Sequence, residues 1–348
     1  MISSISNSKN IKKSYRAFLK WSIISFLSLG FVIVIFLVVI DPLDNIPFSP
    51  DFKRAPIAFN QRFSYPALAR KQYFDSLIIG TSASGQLNPK SFNALFRKRF
   101  VNLSMNAATP YEQFIMTSLF FKHHPKAEIF AFGIDARFIV WCNSKSSEKY
   151  TFRQFPVWMY DENPWNDLLY LFNGLNIEIA FNQALYLMGY KIPTYDINGY
   201  NDLMRGETYL LERVREHIYG QKTPKIKPVA LQTPALTKEQ RDKIVFPEIG
   251  YMKNLLDIVP EHTIKIIFYN PQHWFAQPVV NSAEDITLRA CKEKIHNIIH
   301  SYKNVYLLDY MKQSDFTTQD ENYIDDIHIT KEAADKFVNQ LYVDLYSN

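Results

Sequence analysis

Polar and apolar positions along this chain fall into three regimes. Residues 21–40 (WSIISFLSLGFVIVIFLVVI) carry no charge. At about 1.5 Å rise per residue, such a run spans a ~30 Å hydrocarbon core as one helix. Beyond residue 70 the pattern becomes short apolar runs separated by single helical stretches. Residues 76–80, 100–105, 127–134, 263–269 and 304–309 predict strands. Helices are predicted around 89–99, 110–122, 282–302 and 330–346. In the last of these, Thr330 is placed as an N-cap, and Ala334, Phe337, Val338, Leu341 and Leu345 form one apolar face. Between about 141 and 241 the alternation breaks. That stretch is rich in aromatics and turns (FPVWMYDENPWNDLLYLFN), which predicts a mostly helical insertion packed beside the sheet.

Apolar strands joined by single helices imply a parallel sheet covered on both faces, an α/β fold. The expected organisation is a basic head (1–20), a transmembrane helix (21–40), a polar, Pro-containing linker (41–70) and an α/β domain (71–348). The insertion at about 141–241 belongs to that domain. In such sheets ligands sit at the carboxyl ends of the strands, which is where chemistry is to be sought.

Charge adds a direction. The chain has 39 Lys+Arg against 34 Asp+Glu, a net +5. Lys9, Lys12, Lys13, Arg16 and Lys20 precede the apolar run without any acid, so the remainder is balanced. The positive-inside rule then places the head in the cytoplasm and everything after residue 40 outside it. A cleavable signal peptide is the competing reading. It calls for a shorter apolar core, ~7–15 residues, and a small-x-small cleavage site. The sequence instead continues Val-Val-Ile-Asp-Pro-Leu-Asp, which favours an uncleaved anchor. A balanced folded part offers no basic face for nucleic acid, so none is expected as a partner.

Composition narrows the chemistry further. With 47% apolar and 15% aromatic residues the chain can build a core, but it has only 10 glycines. No Gly-x-Gly-x-x-Gly occurs. Gly80-Thr81-Ser82-Ala83-Ser84-Gly85 has P-loop spacing but continues Gln86-Leu87, where Lys and Ser/Thr are needed, so no nucleotide is expected. No clustered ligand set suggests a metal, and no cofactor is implied. Cys142 and Cys291 are the only cysteines. In an exported domain they can pair across about 150 residues; two separate buried thiols are the plainer reading.

The predicted strand ends present Gly80-Thr81-Ser82, then Asn102 with Asn106-Ala107, then Gly133-Ile134-Asp135. Asp325-Asp326-Ile327-His328 lies just before the final helix. A Ser at a strand-to-helix turn exposes its hydroxyl where backbone N–H groups favour an oxyanion. A His can take the Ser proton, and an Asp three residues earlier can turn back to orient the imidazole. Singly, Gly-Thr-Ser reads as a helix cap and Asp-x-x-His as coincidence. Together, on the first strand and last loop of one sheet, they read as a Ser82, Asp325, His328 triad. The Gly-x-Ser-x-Gly elbow of α/β-hydrolases is absent.

On these residues the sequence resembles the SGNH (GDSL-like) hydrolase superfamily. Its Gly-Asp-Ser block matches Gly80-Thr81-Ser82, and its Asp-x-x-His block matches Asp325 and His328. It is more closely similar to a membrane-anchored branch associated with bacterial surface polysaccharides. That similarity rests on the N-terminal helix, the Asn102–Glu112 stretch and Asn270-Pro271-Gln272-His273. The resemblance implies a flavodoxin-like doubly wound parallel sheet and a catalytic set of Ser82, Asp325 and His328. It further implies pocket positions at Gly80, Thr81, Asn106, Ala107, Asp135 and His273. It implies residence in a bacterial inner membrane with a periplasmic or extracellular domain. The activity implied is that of a serine esterase or O-acyltransferase on a cell-envelope or exported glycan. A catalytically silent scaffold that binds glycan or partner proteins of envelope assembly is the alternative, and a lipid-ester hydrolase a third. Two departures matter. The second-block Gly falls on Ala107, whose N–H can still donate. The third block keeps only Gly133-Ile134-Asp135, without its Asn donor, a loss worth ~10²–10³ in rate. Asp135 either enters the pocket ionised or turns away, for example towards Arg137. His273 either lines the cleft or is structural.

Overall fold

The computed structural model describes residues 2–135, 140–143, 149–161, 163–168, 171–228, 230 and 236–347. Helix α1 (Ile2–Ile40) leads to α2 (Gln61–Arg70), β1 (Ser76–Ile79), α3 (Ser82–Gly85), α4 (Pro89–Phe96), β2 (Phe100–Asn102), α5 (Pro110–His123) and β3 (Ile129–Ile134). Four helices follow: α6 (Pro164–Asp167), α7 (Gly174–Leu187), α8 (Leu211–Tyr219) and α9 (Lys238–Asp242). Then come α10 (Ile249–Ile258), β4 (Ile264–Tyr269), α11 (Ala283–Ile299), β5 (Val305–Asp309) and α12 (Lys331–Tyr346). The five strands form one sheet in the order β2-β1-β3-β4-β5, every neighbouring pair parallel.

Strand periodicity divides the core. Leu77, Ile79, Phe130, Phe132, Ile267 and Tyr269 point to one face, where they pack with α2, α5, α10 and α11. Ile78, Ala131, Ile266 and Phe268 point to the other, packing with α4, α8 and α12. Since both faces are covered, the central strands are almost wholly apolar, with Ser76 and Lys265 the exceptions, which is why they are legible as runs rather than alternations. The expected face of α12 is buried as read, and the Thr330 hydroxyl accepts the Ala333 N–H at 3.2 Å. Helix α5 starts at Pro110 beneath a capping box in which Thr109 and Glu112 satisfy each other's backbone N–H groups.

Three features differ from expectation. The 41–70 stretch is packed rather than a loose linker: α2 lies within it with nine of its residues buried. Cys142 and Cys291 are joined as a disulfide, with Cα atoms 5.5 Å apart, tying the segment after β3 to α11. Strands are shorter than their apolar runs, because residues such as Leu103 and Met105 leave the ladder yet remain buried in the core. Helix α1 contains one stretch, Lys13–Ile40, long and apolar enough to cross a membrane, and only 6% of its most apolar window is buried against the rest of the chain.

Candidate active site

The chain reverses direction across the sheet between β1 and β3: β2 lies to one side of that pair, β4 and β5 to the other. This is the switch point at which α/β folds form a crevice, and the predicted residues converge on it. Gly80, Asp135 and Asn270 directly follow β1, β3 and β4, three adjacent strands.

The turn after β1 is possible only because it is bare. A Cβ on Gly80 would lie 2.4 Å from Ser84 Oγ and 2.8 Å from the Gly133 carbonyl, and one on Gly133 would lie 2.0 Å from Ser84 Oγ. Both positions therefore need glycine, and together they let α3 sit hard against β3. Asn102, fully buried at the end of β2, fixes the other end of α3. Its amide donates to the carbonyls of Ser84 at 2.8 Å and Leu87 at 2.9 Å. The Ser84 carbonyl also accepts the Leu87 N–H at 3.0 Å, so the two contacts together close the end of the element that carries Ser82.

Ser82 is the first residue of α3 and half-buried. Its Oγ lies 2.8 Å from His328 Nε2, and His328 Nδ1 lies 2.6 Å from Asp325 Oδ2. The other carboxylate oxygen of Asp325 accepts the backbone N–H of Ile327 at 2.8 Å and of His328 at 2.7 Å. An ionised carboxylate only accepts, so the imidazole proton sits on Nδ1. Nε2 is then the acceptor for the Ser82 hydroxyl. Asp325, not Asp326, orients the ring, as the spacing predicts. Burial opposes protonation of His328, but the hydrogen bond and charge of Asp325, with Asp135 and Asp326 behind it, hold its pKa above the ordinary 6.5. Burial likewise pushes Asp325 upward. The His328 hydrogen bond and charge and the two backbone donors outweigh it and hold the carboxyl below 3.8.

Asp135 neither enters an open pocket nor reaches solvent. It accepts the Thr81 hydroxyl and, at 2.6 Å, the Asn270 amide. Burial raises its pKa, while those two bonds and the nearby His328 work against the rise. Arg137 lies outside the described residues. Asn270 also reaches Ser84 Oγ at 3.1 Å, so one amide ties β3, β4 and α3 together beneath Ser82. Asn270 is the member that residue-level reading undervalued. Its signal was available, since it is the first residue past a buried central strand.

Asn106 and Ala107 lie on the loop after β2. Asn106 Oδ1 accepts from Gln61 at 3.2 Å and Asn201 at 3.3 Å, and its carbonyl accepts Arg62 at 3.2 Å. Arg62 is fully buried and paired with Glu112, so α2 clamps this loop from below. The side chain of Asn106 is thus spent on holding the loop. Ala107 adopts φ +53°, the left-handed region in which glycine is the unstrained choice. Among the described residues, the N–H groups of Ser82 and Ala107 are given to no other acceptor.

His273 is not a pocket residue. It is 2% exposed, its Nδ1 accepts the Phe275 N–H at 3.2 Å, and its Nε2 faces Asp320 at 3.3 Å. Its own N–H donates to the Asp326 carbonyl at 3.2 Å, bracing the loop that carries the triad's Asp and His. The reason is local: His273 caps the short helical turn at Trp274–Ala276, and rings of Tyr219 and Tyr323 enclose it.

A cleft of about 290 Å³ opens beside the triad, lined by Leu203, Met204, Tyr209, Arg213 and His217 on one wall and Ile324, Asp325 and His328 on the other. A second, about 490 Å³, continues from it past Met204, Glu207 and Tyr209 to the start of α12. The 203–217 wall went unread in the sequence, because nothing in its composition separates a cleft wall from a solvated loop. Among the described residues no group of His, Cys, Asp and Glu is placed to hold a metal ion. No protein-family model matches the chain, and no curated protein matches it.

Proposed function

We propose that this protein is a membrane-anchored, extracytoplasmic serine esterase or O-acyltransferase of SGNH type, acting on an acylated cell-envelope or exported glycan. The observation that carries the proposal is the unbroken hydrogen-bond chain Ser82–His328–Asp325, built from the first strand's turn and the last loop. The strand order and the two-sided core support a flavodoxin-like, doubly wound sheet with an inserted segment at about 141–241.

In this reading Ser82 Oγ attacks the acyl carbonyl while His328 Nε2 takes its proton, and Asp325 holds the resulting imidazolium. The N–H groups of Ser82 and Ala107 receive the oxyanion. His328 returns the proton to the departing alcohol oxygen, leaving an acyl-Ser82 ester. Water or a sugar hydroxyl, deprotonated by the same nitrogen, then resolves it. Because the departing oxygen collects its proton from His328, the alcohol belongs on the His328 side of Ser82. The two joined clefts lie on that side and far exceed an acetyl group in size. An extended, open groove with Tyr209, Arg213, His217 and Glu207 on its wall suits a run of sugar units better than a compact alcohol. Asp135 accepts from Thr81 and Asn270 rather than lining an open pocket, which favours enzyme over silent scaffold.

The anchor reading draws support from the exposed apolar α1, the basic residues before it, and the Cys142–Cys291 disulfide, which persists in oxidising compartments. Hydrolysis or transfer of acyl groups from an acetylated glycan panel, lost in Ser82→Ala and His328→Ala, tests the function. A folded wild-type protein inert on esters and acetylated glycans alike would return it to the scaffold.

A further inference from the structure

We propose that α7 and the turn after it lie in the outer interface of the bilayer, so that the domain is seated on the membrane rather than held off it on a stalk. The inference rests on the reading of α1 as a membrane span.

Helix α7 is built inside out. Its buried positions include Asn176 and Gln183 beside Ile179 and Ala180. Its outward positions are Leu175, Ile177 and Phe181 with Glu178 among them, and exposed Met188, Tyr190 and Ile192 follow directly. Phe181 is 59% exposed. Only one of its fourteen residues, Glu178, is charged. An apolar face turned outward over a partly polar inward face is what a lipid-facing surface helix requires, and what a water-facing one avoids.

What covers that face follows from its neighbour. Leu37 of α1, Ala180 of α7, Leu171 and Ile46 form one apolar cluster, with Ile33, Phe36 and Ile40 packed against it. Helix α7 therefore meets α1 within its last eight residues, about 10 Å of helix, which is the acyl–headgroup boundary if α1 spans. The joint is stiff. Arg54 donates to the α1 carbonyls of Ile40 at 2.7 Å and Val39 at 3.3 Å and pairs with Asp44. The Asp41 carboxylate accepts the N–H groups of Asn45 and Ile46, each at 3.0 Å. With the angle between span and domain fixed in this way, α7 is carried to the depth of the last turns of α1. Trp165, exposed and stacked at 6.2 Å on exposed Phe48, supplies an amphipathic ring of the kind that settles at such a boundary. Seating the domain in this way would hold the candidate active site at a set height over the membrane.

The test uses the full chain, whose native cysteines are both consumed in the disulfide. Phe181→Cys and Leu175→Cys are each labelled with an environment-sensitive fluorophore and reconstituted in phosphatidylethanolamine–phosphatidylglycerol vesicles. Phe26→Cys, in the middle of α1, and Lys303→Cys, on an exposed loop, are labelled in parallel. The expected result is blue-shifted emission at 175 and 181, with most of the fluorescence lost to brominated lipid and little to aqueous iodide. Labels at 175 and 181 that behave like the one at 303, while that at 26 is quenched by lipid, overturn the seating of α7 alone. Protection from iodide without quenching by lipid overturns it too, since protein rather than lipid would then cover the face. If the label at 26 also behaves like that at 303, the span itself falls, and this inference with it.

Discussion

The tight stack of Gly133, Ser84 and Gly80 under the candidate nucleophile allows a double-mutant prediction. In Gly133→Ala the new Cβ would begin 2.0 Å from Ser84 Oγ, 3.0 Å from Asn270 Nδ2 and 3.1 Å from Phe268 Cε2. Reaching ordinary contact at 3.4 Å moves α3 away from β3 by about 1.4 Å, since the other two neighbours are themselves packed. Overpacking of this kind costs about 1–3 kcal/mol, and a displacement of ~1 Å at a reacting group costs roughly 10²-fold in rate. Ser84→Ala alone removes the buried hydrogen bonding between its hydroxyl and the Asn270 amide, at 3.1 and 3.5 Å, worth about 1 kcal/mol, and leaves the Asn270–Asp135 bond in place. In the double variant the 2.0 Å contact no longer exists, while the milder ones at 3.0 and 3.1 Å remain. Gly133→Ala/Ser84→Ala should therefore be more stable than Gly133→Ala, with a coupling of about 1–2 kcal/mol. It should also recover at least ten of the ~100-fold lost in kcat/KM. Denaturant unfolding of detergent-solubilised protein and hydrolysis of a simple acyl ester read the two quantities. Additive losses in both would show that Ser84 does not hold Ser82 through β3, and the packing account of the nucleophile turn would fail.

The raised pKa of His328 sets the acid limb of the reaction: the base must be neutral, so kcat/KM should fall as pH drops through a midpoint above 6.5. Asp325→Asn removes the group that raises it and should move that midpoint down while lowering the plateau, and an unmoved midpoint would assign the limb to another group. Removing the disulfide by Cys142→Ala/Cys291→Ala should cost about 2–5 kcal/mol, read as a lower unfolding midpoint with ester hydrolysis retained in the cold. If the five cations before the candidate span hold the N-terminus inside, a reporter fused to the C-terminus should be active only outside the cytoplasm.

Legibility followed physical simplicity. Strands buried on both faces announce themselves as apolar runs, so all five were readable in order. Thr330 and Pro110 punctuated their helices because caps act locally. The triad was readable because its roles are tied to topology: a Ser after the first strand and an Asp-x-x-His before the last helix meet only in one sheet. Long-range fits left no local mark. Nothing near Cys142 reveals Cys291, and nothing around Arg62 announces that it is buried against Glu112 to clamp the Asn106 loop. His273 stayed open between pocket lining and a structural role because a His just past a strand end suits either, and its ring turns inward to cap a short helical turn. The 41–70 stretch read as linker because its Pro and polar residues mask a helix that packs on almost every side.

The account stands or falls on whether Ser82 is an activated nucleophile. Intact-mass analysis after treatment with a fluorophosphonate probe measures this directly, without knowledge of the substrate. Wild type should gain a single adduct that peptide mapping places on Ser82. Ser82→Ala should gain none, and His328→Ala should react about 10³-fold more slowly or less. A well-folded wild-type protein that stays unmodified, or that reacts at the same rate as His328→Ala, would contradict the account.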